Sequence, residues 1–197
     1  TFMAKPYMDR SGSGTHVHVS MLDSAGENIF ADQHPAGSPR LKNAVAGLLE
    51  AMPESMAILA PNVNSFRRFQ PGSFVPMTPC WGVNNRTTAV RIPAGDPGSR
   101  RIEHRVAGAD ANVYLVVAAV LAGMHYGIME GLDPPPAVEG DAAGDGHQLP
   151  NSWLHAIQTF EAGRVMPHYL GEEFIQVFAA CRRHERQSFE ANVTPME

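Results

Sequence analysis

Cysteine is nearly absent from this chain: Cys80 and Cys181 are the only two among 197 residues, and neither belongs to a Cys-x-x-Cys pair. Two isolated thiols build no disulfide framework, so a reducing, cytoplasmic setting is the expectation. Charge is thin as well. Charged residues make up 18% of the chain and the formal net charge is −5, which argues against a nucleic-acid-binding surface spread over the domain. The N-terminal residues show no basic segment leading into an apolar core, so no signal peptide is read there. One long apolar run, 113–130, carries His125, Glu130 and several Gly and Ala. It reads as a buried central helix rather than a membrane span. No internal repeat is visible. The chain starts at Thr1 rather than Met and ends abruptly at Met196-Glu197, and the expectation is a piece of a longer protein.

What is present is a large apolar fraction, 44%, enough to bury a sizeable core and to exclude wholesale disorder. Residues 1–4 and 16–22 read as strands, the second followed by a hairpin turn at 23–26 and a return through Asn28, Ile29 and Phe30. Ser38-Pro39 opens a helix with Leu41, Val45, Leu48 and Leu49 at helical spacing, Ser38 as N-cap and Pro39 at the first position. Pro53 is expected to interrupt it, with a second helical segment reaching Leu59. Residues 62–81 have no period, and so long an irregular stretch is more often functional than idle. Residues 83–93 and 101–106 read as strands. Asp110 or Asn112 caps the apolar helix, a Pro- and Gly-rich mobile loop fills 134–146, and Asn151 or Ser152 caps a helix through Phe160. A last amphipathic helix at 171–189 puts Phe174, Val177, Phe178, Cys181 and Glu185 on one side. Helices grouped around a few strands, without alternating βαβ units, indicate an α+β fold.

Four stretches carry chemistry. In 11–20, a Gly-bearing turn leads into His16-Val17-His18; alternation along a strand puts the two imidazoles on one face, about 6–7 Å apart. One can ligate a metal while the other reaches an anion beside it, and the bland alternative is two imidazoles facing solvent. The second stretch is 64–74, from Asn64 through Arg67, Arg68 and Gly72 to Phe74. The third is 84–93, with Arg86 and Arg91, and the fourth is 100–105, with Arg100, Arg101, Glu103 and Arg105. Arginine is concentrated here in an otherwise acidic chain, and its fixed fork of donors suits carboxylates and phosphates. Glu103 shares a strand face with Arg101 and Arg105, as an ion-pair ladder or as a hard-metal ligand flanked by phosphate-holding cations. Arg86 and Arg91 are five apart. To serve one site, Arg86 must precede the regular strand or a bulge must intervene.

These four motifs, in this order, resemble the catalytic domain of the glutamine synthetase superfamily. The block Ile102-Glu103-His104-Arg105-Val106-Ala107-Gly108-Ala109-Asp110-Ala111-Asn112 is similar to the γ-glutamylpolyamine (γ-glutamylputrescine) synthetase branch. The resemblance covers most of 1–131 and is weaker in the last helices. It implies that residues 1–197 are the C-terminal part of such a catalytic domain, a mainly antiparallel sheet with packed helices, lacking the N-terminal domain and upstream strands that carry further glutamate ligands. It implies ATP-dependent ligation of the glutamate γ-carboxylate to an amine through a γ-glutamyl phosphate, with Mg²⁺ or Mn²⁺, two or more ions in the full-length enzyme. Carried over by position, His16 and Glu103 are metal ligands. Gly12, Arg68 and Arg105 hold glutamate, while His18, Ser20, Arg86 and Arg91 contact ATP, Arg86 also acting on the transferred phosphoryl group. The partners implied are glutamate, ATP, an amine such as putrescine, and further copies of the chain in a ring-type homo-oligomer, with no nucleic acid and no membrane.

Two positions depart from glutamine synthetase itself. Ser11 stands where that enzyme carries an Asn, and Phe74 where it carries a Glu that helps deprotonate ammonia. A bulky apolar Phe74, with Trp81, fits a wall for a larger amine, since aromatic faces suit alkylammonium groups. The rival readings are a glutamine synthetase using ammonia, a non-catalytic structural or assembly member of the same fold, and a zinc hydrolase, for which no third ligand and base stand at suitable spacing.

Overall fold

The computed structural model describes residues 1–70, 72–73, 75–142 and 148–193. Four three-residue strands form one sheet: β1 (Val17–Val19), β2 (Trp81–Val83), β3 (Val90–Ile92) and β4 (Ile102–His104), in the order β1-β4-β3-β2. β4 pairs antiparallel with both β1 and β3, while β2 runs parallel to β3. The helices are α1 (Pro39–Leu59), α2 (Val63–Phe66), α3 (Val113–Glu130), α4 (Trp153–Glu161), α5 (Val165–Leu170) and α6 (Glu172–Glu190). This is the α+β arrangement that the pattern of elements implies, and the sheet is mostly antiparallel, as the resemblance implies.

Helix α1 is the hub, packed against α3, α4, α5 and β3. Ser38 caps it, its Oγ accepting from the Leu41 amide at 3.3 Å and donating to the Ile29 carbonyl at 2.6 Å. Pro53 does not interrupt α1 as expected. Proline removes one backbone donor, but Ala51, Met52, Ser55, Met56, Ala57, Ile58 and Leu59 are all buried around it, and packing on both flanks outweighs one missing bond. The next residue, Glu54, turns its carboxylate to the start of α5 and accepts the Val165 and Met166 amides, both at 2.9 Å.

α1 and α3 cross at glycine. A Cβ on Gly47 would lie 2.1 Å from the Gly123 carbonyl oxygen, and one on Gly127 would lie 2.0 Å from that of Asn43. The two backbones therefore touch, with no room for a methyl group. Asn112, not Asp110, caps α3, accepting from Tyr114 and Leu115 at 3.0 and 3.3 Å, and Gly131 ends it in the left-handed conformation at φ 60°. As expected, α3 is a core helix: it packs on α1 and α5 and buries Val116, Ala119, Val120, Ala122, Gly123, Met124 and Gly127. Its outer face leaves Tyr114 83% exposed, and Val113, Leu121 and Met129 are exposed as well.

Other expectations shift for local reasons. Residues 1–4 form no strand, although the Ala4 carbonyl accepts the Ser13 amide at 2.7 Å. The strand read at 16–22 shortens to β1, and the turn after it is present, with Asp23 Oδ1 accepting the Ala25 and Glu27 amides. The strand read at 83–93 divides into the end of β2, a loop at 84–89, and β3. α2 lies inside the stretch that showed no period and β2 begins at its last residue; elements of three or four residues are too short to establish a period. Ser152 caps α4, accepting from His155 at 3.3 Å. α6 buries Ile175 and Ala179, with Phe174 and Phe178 partly buried, and leaves Val177 and Cys181 exposed. The loop after α3 is bonded to β2 rather than loose, the Val138 amide donating to the Trp81 carbonyl at 2.8 Å; its residues 143–147 lie outside the described part.

Gly127→Ala should lower stability by about 3 kcal/mol or more, since its new methyl meets backbone that no rotamer change can move. Urea unfolding measures it.

Candidate active site

Strand register builds the site. His18 lies opposite Glu103, Glu103 opposite Arg91, and Arg91 opposite Gly82, so these residues form one row across the sheet with side chains on a common face. The other face carries Val90, Ile92 and Ile102, fully buried in the core, and His104. Burial, and then the charge of His16, push the His104 imidazole down to about 4, so it stays neutral in the apolar layer.

Glu103 is the centre of the row and is only 3% exposed. Arg105 Nη1 donates to its Oε1 at 2.6 Å and Arg91 Nη1 to its Oε2 at 2.6 Å. Burial by itself raises the carboxyl's pKa; the hydrogen bonds and charges of Arg91 and Arg105 outweigh it and hold Glu103 below the usual carboxylate value. Arg91 Nη2 also donates to Asn84 Oδ1 at 2.6 Å, and Asn84 reaches it from a left-handed backbone, φ 50°. Arg105 Nη2 donates to the Arg86 carbonyl at 3.0 Å. β3 begins at Val90, so Arg86 does precede the regular strand, and its loop is tied to the row through that carbonyl.

His16 Nδ1 lies 3.1 Å from Glu103 Oε1, and its side chain is 42% exposed. Burial, followed by the positive charge of Arg105, lowers its pKa against the pull of Glu103, which keeps the imidazole neutral. With its proton on Nε2, His16 presents a lone pair beside a carboxylate oxygen. Two donors about 3 Å apart match one edge of an octahedron with bonds of about 2.1 Å, so this pair fits a divalent cation. Among the described residues no group of three or more His, Cys, Asp or Glu completes a metal cage.

A cavity of about 320 Å³ opens beside the pair, lined by Lys5, Ser11, Gly12, Gly14, His16, Arg68 and Arg105 among others. Arg68 is buried in its wall, with Nη1 on the Val106 carbonyl at 3.3 Å; burial lowers its pKa and Asp110 opposes the shift, leaving the guanidinium charged. It passes so close to the Gly-bearing turn that a Cβ on Gly12 would lie 2.9 Å from Arg68 Cγ, and one on Gly14 2.9 Å from Nη2. The short helix α2 delivers Arg68. Asn62 caps that helix, and Asp110 Oδ2 accepts from Asn62 Nδ2 at 2.8 Å and Ser65 Oγ at 2.6 Å. Lys5, read in the sequence only as a break before Pro6, is 8% exposed and donates its ammonium to the Arg10 carbonyl. Its backbone exchanges two hydrogen bonds with the Asn64 side chain. A pocket carrying Lys5, Arg68 and Arg105 suits a small molecule with two carboxylates.

His18 stands exposed with Nδ1 3.4 Å from Arg101 Nε, and Ser20 follows on the same exposed side; neither lines this cavity. Trp81 is buried in the core and its indole N–H donates to the Pro135 carbonyl at 2.7 Å, so it is not part of the cavity wall. Phe74 lies outside the described residues. Lys5, Asn84 and Asp110 were missed as site residues, and only Asn84, an Asn before a strand, carries a local signal, its tolerance of positive φ.

The glutamine synthetase catalytic-domain profile matches residues 1–197. The chain belongs to the glutamine synthetase family. It is 48% identical over its whole length to the γ-glutamylputrescine synthetase PuuA of Escherichia coli K12 and 36% identical to the γ-glutamylethanolamide synthetase GlnA4 of Streptomyces coelicolor, covering 42% of each. Over 72% of its length it is 40% identical to a glutamate–isopropylamine ligase of a Pseudomonas species, covering 31% of that protein. The solved structure of apo GmaS superposes with a TM-score of 0.89 at 35% identity, over all of this chain and 46% of that one. The chain thus spans less than half the length of these glutamine synthetase relatives.

Glu103→Gln strips the charge from between two arginines, and stability at neutral pH should fall by about 3 kcal/mol. Because the native carboxyl is lowered, its contribution is complete above the unfolded value and disappears as pH falls through the native one. Denaturant titrations of the two proteins should therefore converge in acid.

Proposed function

We propose that the full-length protein is an ATP-dependent ligase joining the glutamate γ-carboxylate to an amine, with a polyamine such as putrescine as acceptor. The observation that carries this reading is the cationic cavity of Lys5, Arg68 and Arg105, whose lining includes His16, itself 3.1 Å from Glu103. Glutamate enters with its carboxylates toward Arg68 and Arg105, and Gly12 offers backbone. His16 and Glu103 hold Mg²⁺ or Mn²⁺, which supplies positive charge to the nucleotide phosphates and the reacting carboxylate. Arg91 braces Glu103 and, with Arg86, His18 and Ser20, faces the ATP phosphates.

In the first step a γ-carboxylate oxygen takes the terminal phosphoryl group of ATP, forming γ-glutamyl phosphate and ADP. Arg86, on the loop 84–89, supplies the guanidinium that stabilises charge on the transferring group. In the second, the neutral amine attacks the acyl carbon, phosphate leaves, and the nitrogen gives up a proton. Aromatic Phe74 in place of a carboxylate supports an amine acceptor over ammonia, and so do the names of the relatives cited above. The geometry around Glu103 supports catalysis over a purely structural role. Ring-type self-association and a cytoplasmic location complete the proposal; Cys80 and Cys181 are unpaired thiols, compatible with a reducing compartment.

Full-length enzyme supplied with ATP, glutamate and a panel of amines should release phosphate with putrescine at a kcat/KM about tenfold or more above that with ammonia. Ammonia performing equally well would sink the polyamine reading. Separately, His16→Ala should raise the Mn²⁺ concentration needed for half-maximal turnover by about tenfold or more, and calorimetry should show the same weakening without turnover.

A further inference from the structure

We infer that residues 134–142 form a strap that positions Arg86, with Asn85 as the positioning residue; the inference rests on the ligase reading, in which Arg86 acts on the transferred phosphoryl group. Among the described residues β2 is an edge strand, paired only with β3, and the loop 84–89 that follows it has no strand of its own. Such a loop fluctuates unless tied down, and a guanidinium meant to meet developing charge must already be in place.

The strap supplies the ties. It starts at Pro134-Pro135-Pro136, where ring closure fixes φ and the segment arrives extended. The Pro135 carbonyl accepts the Trp81 indole N–H at 2.7 Å, and the Val138 amide donates to the Trp81 carbonyl at 2.8 Å. The strap lies directly on the strand backbone: a Cβ on Gly82 would be 2.9 Å from the Val138 carbonyl oxygen.

Asn85 joins the strap to the loop through all four of its hydrogen-bonding positions. Nδ2 donates to the Val138 and Gly140 carbonyls at 3.1 and 2.7 Å, while Oδ1 accepts the Thr87 amide at 3.0 Å and the Thr87 hydroxyl at 2.7 Å. Thr87 Oγ1 in turn accepts the Ala142 amide at 2.9 Å. Both sequence neighbours of Arg86 are therefore bonded to the strap, and its own carbonyl is held by Arg105 at 3.0 Å. The Arg86 backbone is fixed from both flanks, and its side chain borders a second cavity of about 590 Å³ between loop and strap. No strap residue lines glutamate's cavity, which the loop meets only through the Arg86 carbonyl on Arg105, so the strap acts mainly on turnover rather than on glutamate binding.

Two variants of the full-length enzyme test this. Asn85→Asp keeps both acceptors for Thr87 but sets a carboxylate against the Val138 and Gly140 carbonyls, so it loosens the strap and spares the loop's internal bonds. Trp81→Phe keeps an aromatic ring in the core, removes the indole tie to Pro135 and leaves a small void whose cost the global unfolding transition reads. Expected are a kcat lowered by about tenfold in the first and about threefold in the second, with glutamate KM within about twofold of wild type. Hydrogen exchange in peptide 84–89 should quicken in both while the global unfolding transition is retained. Asn85→Asp turning over at the wild-type rate would overturn the proposal, as would Trp81→Phe doing so while Val138 exchanges faster. A kcat loss matched by global unfolding, or by an equal loss of glutamate affinity, would overturn it too. A wild-type enzyme that releases no phosphate with any amine or ammonia would defeat the ligase reading instead. Exchange at 84–89 in Trp81→Phe then decides the strap: faster supports it, unchanged removes it.

Discussion

A carboxylate buried in a sheet has to be held charged by something, and Glu103 is held by two arginines, each of which commits its second terminal nitrogen elsewhere. Arg91 is fixed by Asn84 and Arg105 by the Arg86 carbonyl, so the charge network and the backbone of the loop at 84–89 are one object. An uncompensated charge at this depth is strongly unfavourable. Each member is therefore required by the others, and the face of the sheet that carries them is rigid. His16 adds a neutral nitrogen at the open edge of this network, where a cation can meet two donors without the protein rearranging.

The helical layer supports that face from behind. The glycine crossing of α1 and α3 brings two backbones into contact. α1 also packs on β3, whose buried Val90 and Ile92 set the height of Arg91 between them. Glu54, next to a proline that leaves α1 unbroken, caps α5. Close packing leaves few ways to shift one of these elements without moving the rest. The strap works in the same manner on the opposite edge, replacing a missing neighbour strand with backbone and amide hydrogen bonds.

Much of the site was legible because its parts are local. His16 and His18 alternate with valines, and Glu103 and Arg105 are two apart on a strand; period-two geometry is set by the chain itself. The helix caps at Ser38 and Ser152 and the apolar period of α1 are local in the same sense, as is the requirement that Arg86 precede its strand. What was misread concerns partners distant in sequence. Trp81 was taken for a pocket wall because aromatic type suggested it, yet its indole belongs to Pro135, 54 residues away. Residues 134–146 looked mobile by composition, because hydrogen bonds made by backbone groups leave no trace in side-chain type, yet 134–142 are bonded to β2 and its loop. Pro53 looked like a break because propensity counts one lost bond and does not see the seven buried neighbours that retain the helix.

The order and spacing of four motifs determined the family, the chemistry of the residues and the face each would occupy, since strand alternation and arginine's donor geometry are properties of short segments. Only the tertiary structure decided that Lys5 joins Arg68 and Arg105 in one cavity. It alone decided that Asn84 bonds Arg91, that Asn85 ties its loop to Val138 and Gly140, and that Asp110 steadies the turn delivering Arg68. These assignments depend on which distant segments pack together, and packing is settled by burial and hydrogen-bond satisfaction over the whole chain rather than by any stretch of it.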